Sequence, residues 1–321
     1  MFVKGCFAFL VFVVFASTDL CGQVSAPADG QLRVTLLGVA GGPPVRVGLA
    51  GISTLVEAGG DRLLFDAGRG VMQRIVQAGL PMNAVSKLFL THLHSDHIVD
   101  IPDLLLMPWS SPSPRTTPLE VWGPEGTRDM MAHLEQAFAF DIHVRRDVDE
   151  HAPASGIKVI AQDIREGTVY QKNGVTVTAF LVDHGPVKPA FGYRVSYHGR
   201  SVCLSGDTRP SDNLVSACRG VDVLIHEATD EETLRRLVPD RQLYEAIVGH
   251  HTTADQAAEI FRRVAPRLAV FSHVSLAGNA LVERTRRSYR GRVEQGEDLM
   301  VIEVGEDVVV RRPTPAPGPR E

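Results

Sequence analysis

Three histidines and an aspartate fall within six residues, His92-Leu93-His94-Ser95-Asp96-His97, directly after the apolar run Lys87-Leu88-Phe89-Leu90-Thr91. This pattern predicts a strand that ends at a turn, with the turn fanning four metal-type side chains toward one point. Zinc is the natural candidate, because imidazole and carboxylate suit it and no cysteine lies nearby. The plain alternative is a polar turn that happens to be rich in histidine. The spacing H-x-H-x-D-H is far more specific than one or two isolated histidines.

A hydrolytic metal site needs further ligands from distant strand ends. Val182-Asp183-His184-Gly185, Leu204-Ser205-Gly206-Asp207-Thr208 and Phe271-Ser272-His273-Val274 each follow a short apolar run and stop at a ligand-type residue. Two divalent ions close together need a shared acidic bridge, and Asp207 in its Gly-Asp-Thr turn suits that place. Taken singly, His184 or His273 reads equally as a core histidine, and Asp207 as a cap for a helix opening at Ser211.

With these residues in view, the chain resembles the metallo-β-lactamase superfamily, in the branch of ribonuclease Z and the bacterial arylsulfatases related to it. The resemblance runs through Leu36-Leu37-Gly38 with Gly41-Gly42-Pro43-Pro44, Leu63-Leu64-Phe65-Asp66-Ala67-Gly68, the histidine cluster, Ala190-Phe191-Gly192-Tyr193-Arg194 and Ser205-Gly206-Asp207-Thr208. His226-Glu227-Ala228-Thr229 and His251-Thr252-Thr253-Ala254, followed by Asp255-Gln256-Ala257-Ala258, set this branch apart from true lactamases. Thr252 stands where ribonuclease Z usually has serine, and a hydroxyl is kept.

Carried over by residue, the resemblance implies one metal on His92, His94 and His184 and another on Asp96, His97 and His273, with Asp207 bridging. The expected cofactor is two Zn2+, with Mn2+ or Fe as substitutes. Asp66 is expected to orient the ligand loop rather than bind metal. His226, Glu227 and His251 are expected to form a hydrogen-bonded group near the leaving group. The implied fold is α+β, an αββα metallo-β-lactamase sandwich of two mixed sheets with helices on the outer faces.

The chemistry expected is hydrolysis by a hydroxide shared between two cations, since metal binding lowers the pKa of water from about 16 toward about 7. Asp96 would hold or deprotonate that water. His251, polarised by Glu227, would protonate the departing oxygen, a step typically worth about 100- to 10,000-fold.

Met1 to Ala26 carries Lys4, an apolar stretch from Phe7 to Ala16 and small residues ending in Val24-Ser25-Ala26, which reads as a secretory signal peptide. The apolar stretch is shorter than the roughly 20 residues of a comfortable span, so no stable membrane span is expected. The protein is therefore expected to be periplasmic or secreted, with residues 27–312 as the hydrolase domain and Pro313 to Glu321 as a disordered tail. Of the four cysteines, Cys6 and Cys21 lie in the leader. Cys203 and Cys218 remain, and spacing alone does not decide whether they pair. A formal charge of -5 lacks the basic signature of a nucleic-acid binder.

Arg33 to Leu37, Ser53 to Glu57 and Arg62 to Phe65 read as strands, and Val71 to Ala78 as a helix stopped by Gly79 and Pro81. Met130, Met131, Leu134 and Phe138 recur at helical spacing as core. Ala254 to Val264 reads as a helix, Leu268 to Phe271 as a strand, and Leu299 to Val304 with Val308 to Val310 as a closing pair. Met107 to Pro118, with Trp109, is expected to overhang the metal cluster, where the indole either stacks on substrate or belongs to an ordinary surface loop.

An exported hydrolase of small phosphodiester or aryl sulfate esters comes first among the functions. A ribonuclease Z-like tRNA 3′-processing endonuclease comes second. Ribonuclease Z typically carries a long arm between the positions matching His184 and Asp207, where only 22 residues lie here. The missing arm, acidic balance and export signal point away from tRNA. A β-lactamase and a non-catalytic binding protein come last. A small-molecule ester is the expected partner, nucleic acid is not, and a homodimer is an expectation from the family alone.

Overall fold

The computed structural model describes residues 27–274 and 280–313. The expected leader, Met1 to Ala26, and the tail beyond Pro313 lie outside the described residues. Two mixed sheets carry the fold. The first has the order β15-β14-β1-β2-β3-β4-β5-β6. Its strands are β1 (Leu32–Gly38), β2 (Ser53–Ala58), β3 (Asp61–Phe65), β4 (Lys87–Phe89), β5 (Leu119–Gly123), β6 (Val159–Asp163), β14 (Met300–Val304) and β15 (Val308–Arg311). The second has the order β13-β12-β11-β10-β9-β8-β7. It comprises β7 (Gly167–Lys172), β8 (Val175–Leu181), β9 (Phe191–Tyr197), β10 (Arg200–Leu204), β11 (Val223–Ala228), β12 (Leu268–Val274) and β13 (Val293–Gln295).

The helices are α1 (Val71–Gln77), α2 (Ser95–Ile98), α3 (Ile101–Leu106), α4 (Thr127–Ala137), α5 (Ala139–His143), α6 (Asp212–Ala217), α7 (Glu231–Leu237), α8 (Arg241–His250), α9 (Ala254–Val264) and α10 (Ala280–Thr285). None in the described residues is long and apolar enough to cross a membrane.

The sandwich follows from strands that are apolar on both faces. Along β3, Leu63 and Phe65 join the cluster between the sheets, while Leu64 between them joins a second cluster under α1 and α3. Alternation of side chains along a strand makes this division unavoidable once both faces are covered. Phe89 sits at the centre of the inter-sheet layer, stacked on Trp122 at 4.7 Å and on Phe65 at 5.1 Å between ring centroids. Helix α9 covers the outer face of the second sheet with Ala257, Ile260, Phe261 and Val264. Thr253 and Gln256 close its first turn reciprocally as a capping box.

The expected strands and the helix at 254–264 are present, with ends moved by a residue or a few. The stripe on α4 is shallower than expected. Met131 is buried, whereas Met130, Leu134 and Phe138 pack against the core only in part, because α4 rests on the edge near β6. Cys203 and Cys218 form a disulfide that ties β10 to the end of α6. Of the two readings of Trp109, stacking on substrate is the one overturned: the side chain is fully buried in the outer cluster and its indole N–H donates to the Pro153 carbonyl. It does not overhang the histidines.

Strands β10, β11 and β12 run parallel, and β8 points the same way because it is antiparallel to β9, itself antiparallel to β10. Their carboxyl ends therefore open on one edge of the sandwich, where β4 of the other sheet also ends.

Candidate metal centre and pocket

The turn after β4 holds its shape through Asp66, which follows β3. One Asp66 oxygen accepts the Thr91 backbone N–H at 2.9 Å, and the other lies 2.8 Å from His97 Nδ1. Asp66 and His273 both adopt a left-handed backbone, with φ of 59° and 49°. Such conformations cost non-glycine residues about 1–3 kcal/mol each and persist where surrounding contacts impose them. Here the contacts are those of the histidine cluster.

Three of the histidines are each aimed by one nitrogen and offer the other. His92 Nδ1 meets Thr91 Oγ1 at 3.0 Å, His97 Nδ1 meets Asp66, and His184 Nδ1 donates to the His250 carbonyl at 3.1 Å. Tying one ring nitrogen fixes the tautomer and presents the other as a ligand. The free nitrogens converge on Asp207. Its Oδ2 lies 3.9 Å from Nε2 of both His92 and His184, 3.4 Å from His97 Nε2 and 3.3 Å from His273 Nε2.

Asp96 enters from the start of α2, with Oδ2 3.2 Å from His273 Nε2 and accepting the Gly42 N–H at 2.9 Å. The neighbouring Gly41 must be glycine, because a Cβ there would stand 2.7 Å from His273 Nδ1. That close approach gives the Gly41-Gly42 pair its place in the motif.

His92, His94 and His184 offer ligand atoms within 4.8 Å of one another, and so do Asp96, His97 and His273, and His92, His97 and Asp207. His92 Nε2, His97 Nε2 and Asp207 Oδ1 are buried without a hydrogen-bond partner. Buried polar atoms left so are costly unless something else satisfies them. Three orphaned donor atoms, of the types that zinc favours, fit bound cations. Burial, reinforced by His97, pushes the His92 imidazole well below its ordinary pKa and keeps it neutral. Burial opposes the charge on Asp207, yet His273 and His97 outweigh it and hold the carboxyl well below its usual range.

Glu227 on β11 borders the same space. Its Oε1 accepts backbone N–H groups from Thr208 at 3.2 Å and Thr252 at 2.9 Å, and its Oε2 stands 3.4 Å from His251 Nδ1. The latter is an ion-pair contact without hydrogen-bond alignment. His226, expected in this group, is elsewhere. Adjacent residues of a strand face opposite ways, so His226 packs against Phe261 of α9, with ring centroids 5.7 Å apart, and its Nδ1 lies 2.6 Å from the Glu227 carbonyl.

Two contributors were not legible beforehand. The His250 carbonyl aims His184, which no side-chain pattern reveals. Leu234, Leu237 and Val238 from α7 and its end, with Ile247 from α8, wall a pocket of about 530 Å3 over the cluster. Their intervals read as ordinary amphipathic helix.

A family model described as a beta-lactamase superfamily domain matches residues 61–274. A curated relative named ribonuclease Z, from Mycobacterium sp. (strain KMS), is 36% identical over 288 residues, covering 88% of this chain and 99% of the relative. One of the same name from Mycobacterium avium (strain 104) is 37% identical over 283 residues, covering 85% and 99%. Among solved structures, the short form of human tRNase Z superposes with a TM-score of 0.62 at 26% identity, over 85% of this chain and 99% of that one. The metallo-beta-lactamase fold protein YhfI from Bacillus subtilis gives 0.67 at 18% identity over 85% and 99%, a likeness of fold.

Proposed function

The chain belongs to the metallo-β-lactamase superfamily, in its ribonuclease Z branch, and from that premise we propose that it is a metal-dependent phosphodiesterase with ribonuclease Z-type cleavage as its first candidate reaction. The observation that carries this reading is the position of Asp207 Oδ2 among imidazoles from both expected ligand sets. His92, His94 and His184 would hold one divalent cation and Asp96, His97 and His273 the other, with Asp207 between them. When bound, the ions supply Lewis acidity toward the phosphoryl oxygens and lower the pKa of water.

The chain's own residues do the rest. Asp96, fixed by the Gly42 N–H, accepts a hydrogen bond from the attacking water and orients it. His251 has Nδ1 turned to Glu227, which leaves Nε2–H to protonate the departing oxygen. Glu227 is in turn held by the Thr208 and Thr252 amides, so the acid is oriented by backbone rather than by a mobile side chain.

The relatives' name favours the RNA substrate over the exported small-ester hydrolase that the missing arm, acidic balance and leader put first. The absent arm does not separate this chain from them, since an alignment of 288 residues taking up 88% of one chain and 99% of the other leaves room for no long insertion. Small phosphodiester or aryl sulfate esters remain the second reading, favoured by one observation. Disulfides persist mainly in oxidising compartments, so the Cys203–Cys218 bond supports export and a substrate met outside the cytoplasm.

The test is the initial rate of the zinc-loaded protein on a precursor tRNA with a 3′ trailer, on bis-p-nitrophenyl phosphate and on p-nitrophenyl sulfate, with Asp207→Ala as the blank. Trailer release with diester cleavage supports the first reading. Diester cleavage alone or faster sulfate release supports the second. Full metal content and rate in Asp207→Ala overturn both.

A further inference from the structure

The pocket above the histidines has two unlike ends. At its floor lie the clustered imidazoles with Asp96 and Asp207, and at its outer end the apolar side chains of α7 and α8. Helix α8 buries none of its ten residues, and Leu237 at the end of α7 is 58% exposed. A wall of this kind leaves apolar surface in water unless a ligand covers it. Among the described residues, Arg46 is the one lysine or arginine lining the space, and its Nη1 already donates to the Val274 carbonyl at 3.1 Å. The outer end thus offers contact area without a row of cations for further phosphates. Its volume of about 530 Å3 is that of a small-molecule site.

The wall also has a fixed relation to the acid. His251 caps the carboxyl end of α8 and lines the same pocket as Ile247 and Leu237, so an oxygen protonated by His251 would leave into the space these side chains share. We propose that Leu234, Leu237, Val238 and Ile247 form a leaving-group subsite that selects phosphodiesters whose departing alcohol carries an uncharged, apolar ring. This rests on the phosphodiesterase reading. Water adds to phosphorus, the bond from phosphorus to the leaving oxygen breaks, and the proton on His251 Nε2 goes to that oxygen. A nucleoside and an aryl alcohol share the required chemistry.

The experiment compares methyl phenyl phosphate with methyl 4-sulfophenyl phosphate, using the zinc-loaded protein. The sulfonated phenol is the better leaving group, so bond chemistry alone favours the charged ester. The subsite predicts the opposite, a kcat/KM about tenfold higher for the phenyl ester, the scale on which hydrophobic pockets discriminate. Leu237→Lys, at an exposed position that tolerates charge, should reverse the ratio, and Leu237→Ser should bring it toward parity. A wild-type ratio at or below one, or a ratio unmoved in both folded variants, overturns the subsite while leaving the phosphodiesterase reading intact. Failure to cleave either ester, or any other phosphodiester, overturns that reading and the subsite with it. An adenosine dinucleotide and its analogue with an abasic upstream sugar separate the two sources. A tenfold preference for the base-bearing compound assigns the ring to a nucleoside, and parity assigns it to an aryl alcohol.

Discussion

Glu227 Oε2 stands 3.4 Å from His251 Nδ1, while the other oxygen of the same carboxylate accepts two backbone amides. The amides fix the orientation of the glutamate, and its charge is turned toward the His251 imidazole. Burial disfavours the charged form of His251, yet Glu227 outweighs it and raises the pKa to about 9.

The sign of the resulting pH dependence follows. The protonated imidazole is the active form, so activity is present below the His251 pKa and lost as pH rises through it. Cations bound at the cluster would lower the absolute value, but the contribution of Glu227 would remain. Glu227→Gln should move the alkaline limb of the kcat/KM profile to lower pH without abolishing metal binding. A limb that stays in place would assign the acid to another group.

Asp66→Asn keeps the shape of the side chain but removes the anionic acceptor of His97 Nδ1. Such partners of a metal-bound histidine typically change metal affinity about 10- to 100-fold. Competition with a chromophoric chelator should show a loss of this order for one ion, with the fold unchanged by circular dichroism.

The convergence of histidines and aspartates was legible because it is written in residue types with few other uses, and because each distant member closes an apolar run. His92, His94, Asp96 and His97 share one turn, and His184, Asp207 and His273 end or closely follow β8, β10 and β12. Which way a side chain faces was less legible. His226 and Glu227 are neighbours in one motif, and only the pairing of β11 with α9 behind it decides that one is under a helix and the other in the site. The pairing of Cys203 with Cys218 needed a distance, here 5.8 Å between Cα atoms, that spacing along the chain does not contain.

That disulfide closes a loop with a sequence separation of 15, and the loop includes Asp207. A cross-link of this span stabilises by about 3 kcal/mol in the chain-entropy account. The double variant Cys203→Ala with Cys218→Ala should lower the urea midpoint correspondingly. An unchanged midpoint would mean that the reduced loop is already ordered without its bond.

Cation binding at the cluster should also register in the stability of the fold. Ligands that bind only the folded state raise stability by about 2.7 kcal/mol at a hundredfold excess over Kd. The melting temperature should therefore fall on treatment with a chelator and climb again with added zinc in a concentration-dependent way. A temperature indifferent to both would argue against cation binding by the orphaned His92, His97 and Asp207 atoms.

The segment around Trp109 belongs to the scaffold, and Arg115 explains why. The residue is 2% exposed, and its guanidinium donates to the carbonyls of Leu104 and Leu105 at 2.9 Å each and of Gly156 at 3.0 Å. It thus closes the end of α3 and pins the loop that buries Trp109. Burial lowers its pKa to about 10, which still leaves it charged at neutral pH. Arg115→Met strips these carbonyls of their donors at about 1–3 kcal/mol for each left unsatisfied. A loss of at least about 3 kcal/mol is expected in urea. Arg115→Lys should rescue little, because an ammonium lacks the planar fork that reaches all three acceptors. The molecules that remain folded should keep their kcat/KM, since neither Arg115 nor Trp109 borders the pocket over the histidines. A selective loss of activity at full stability would return this segment to the substrate side.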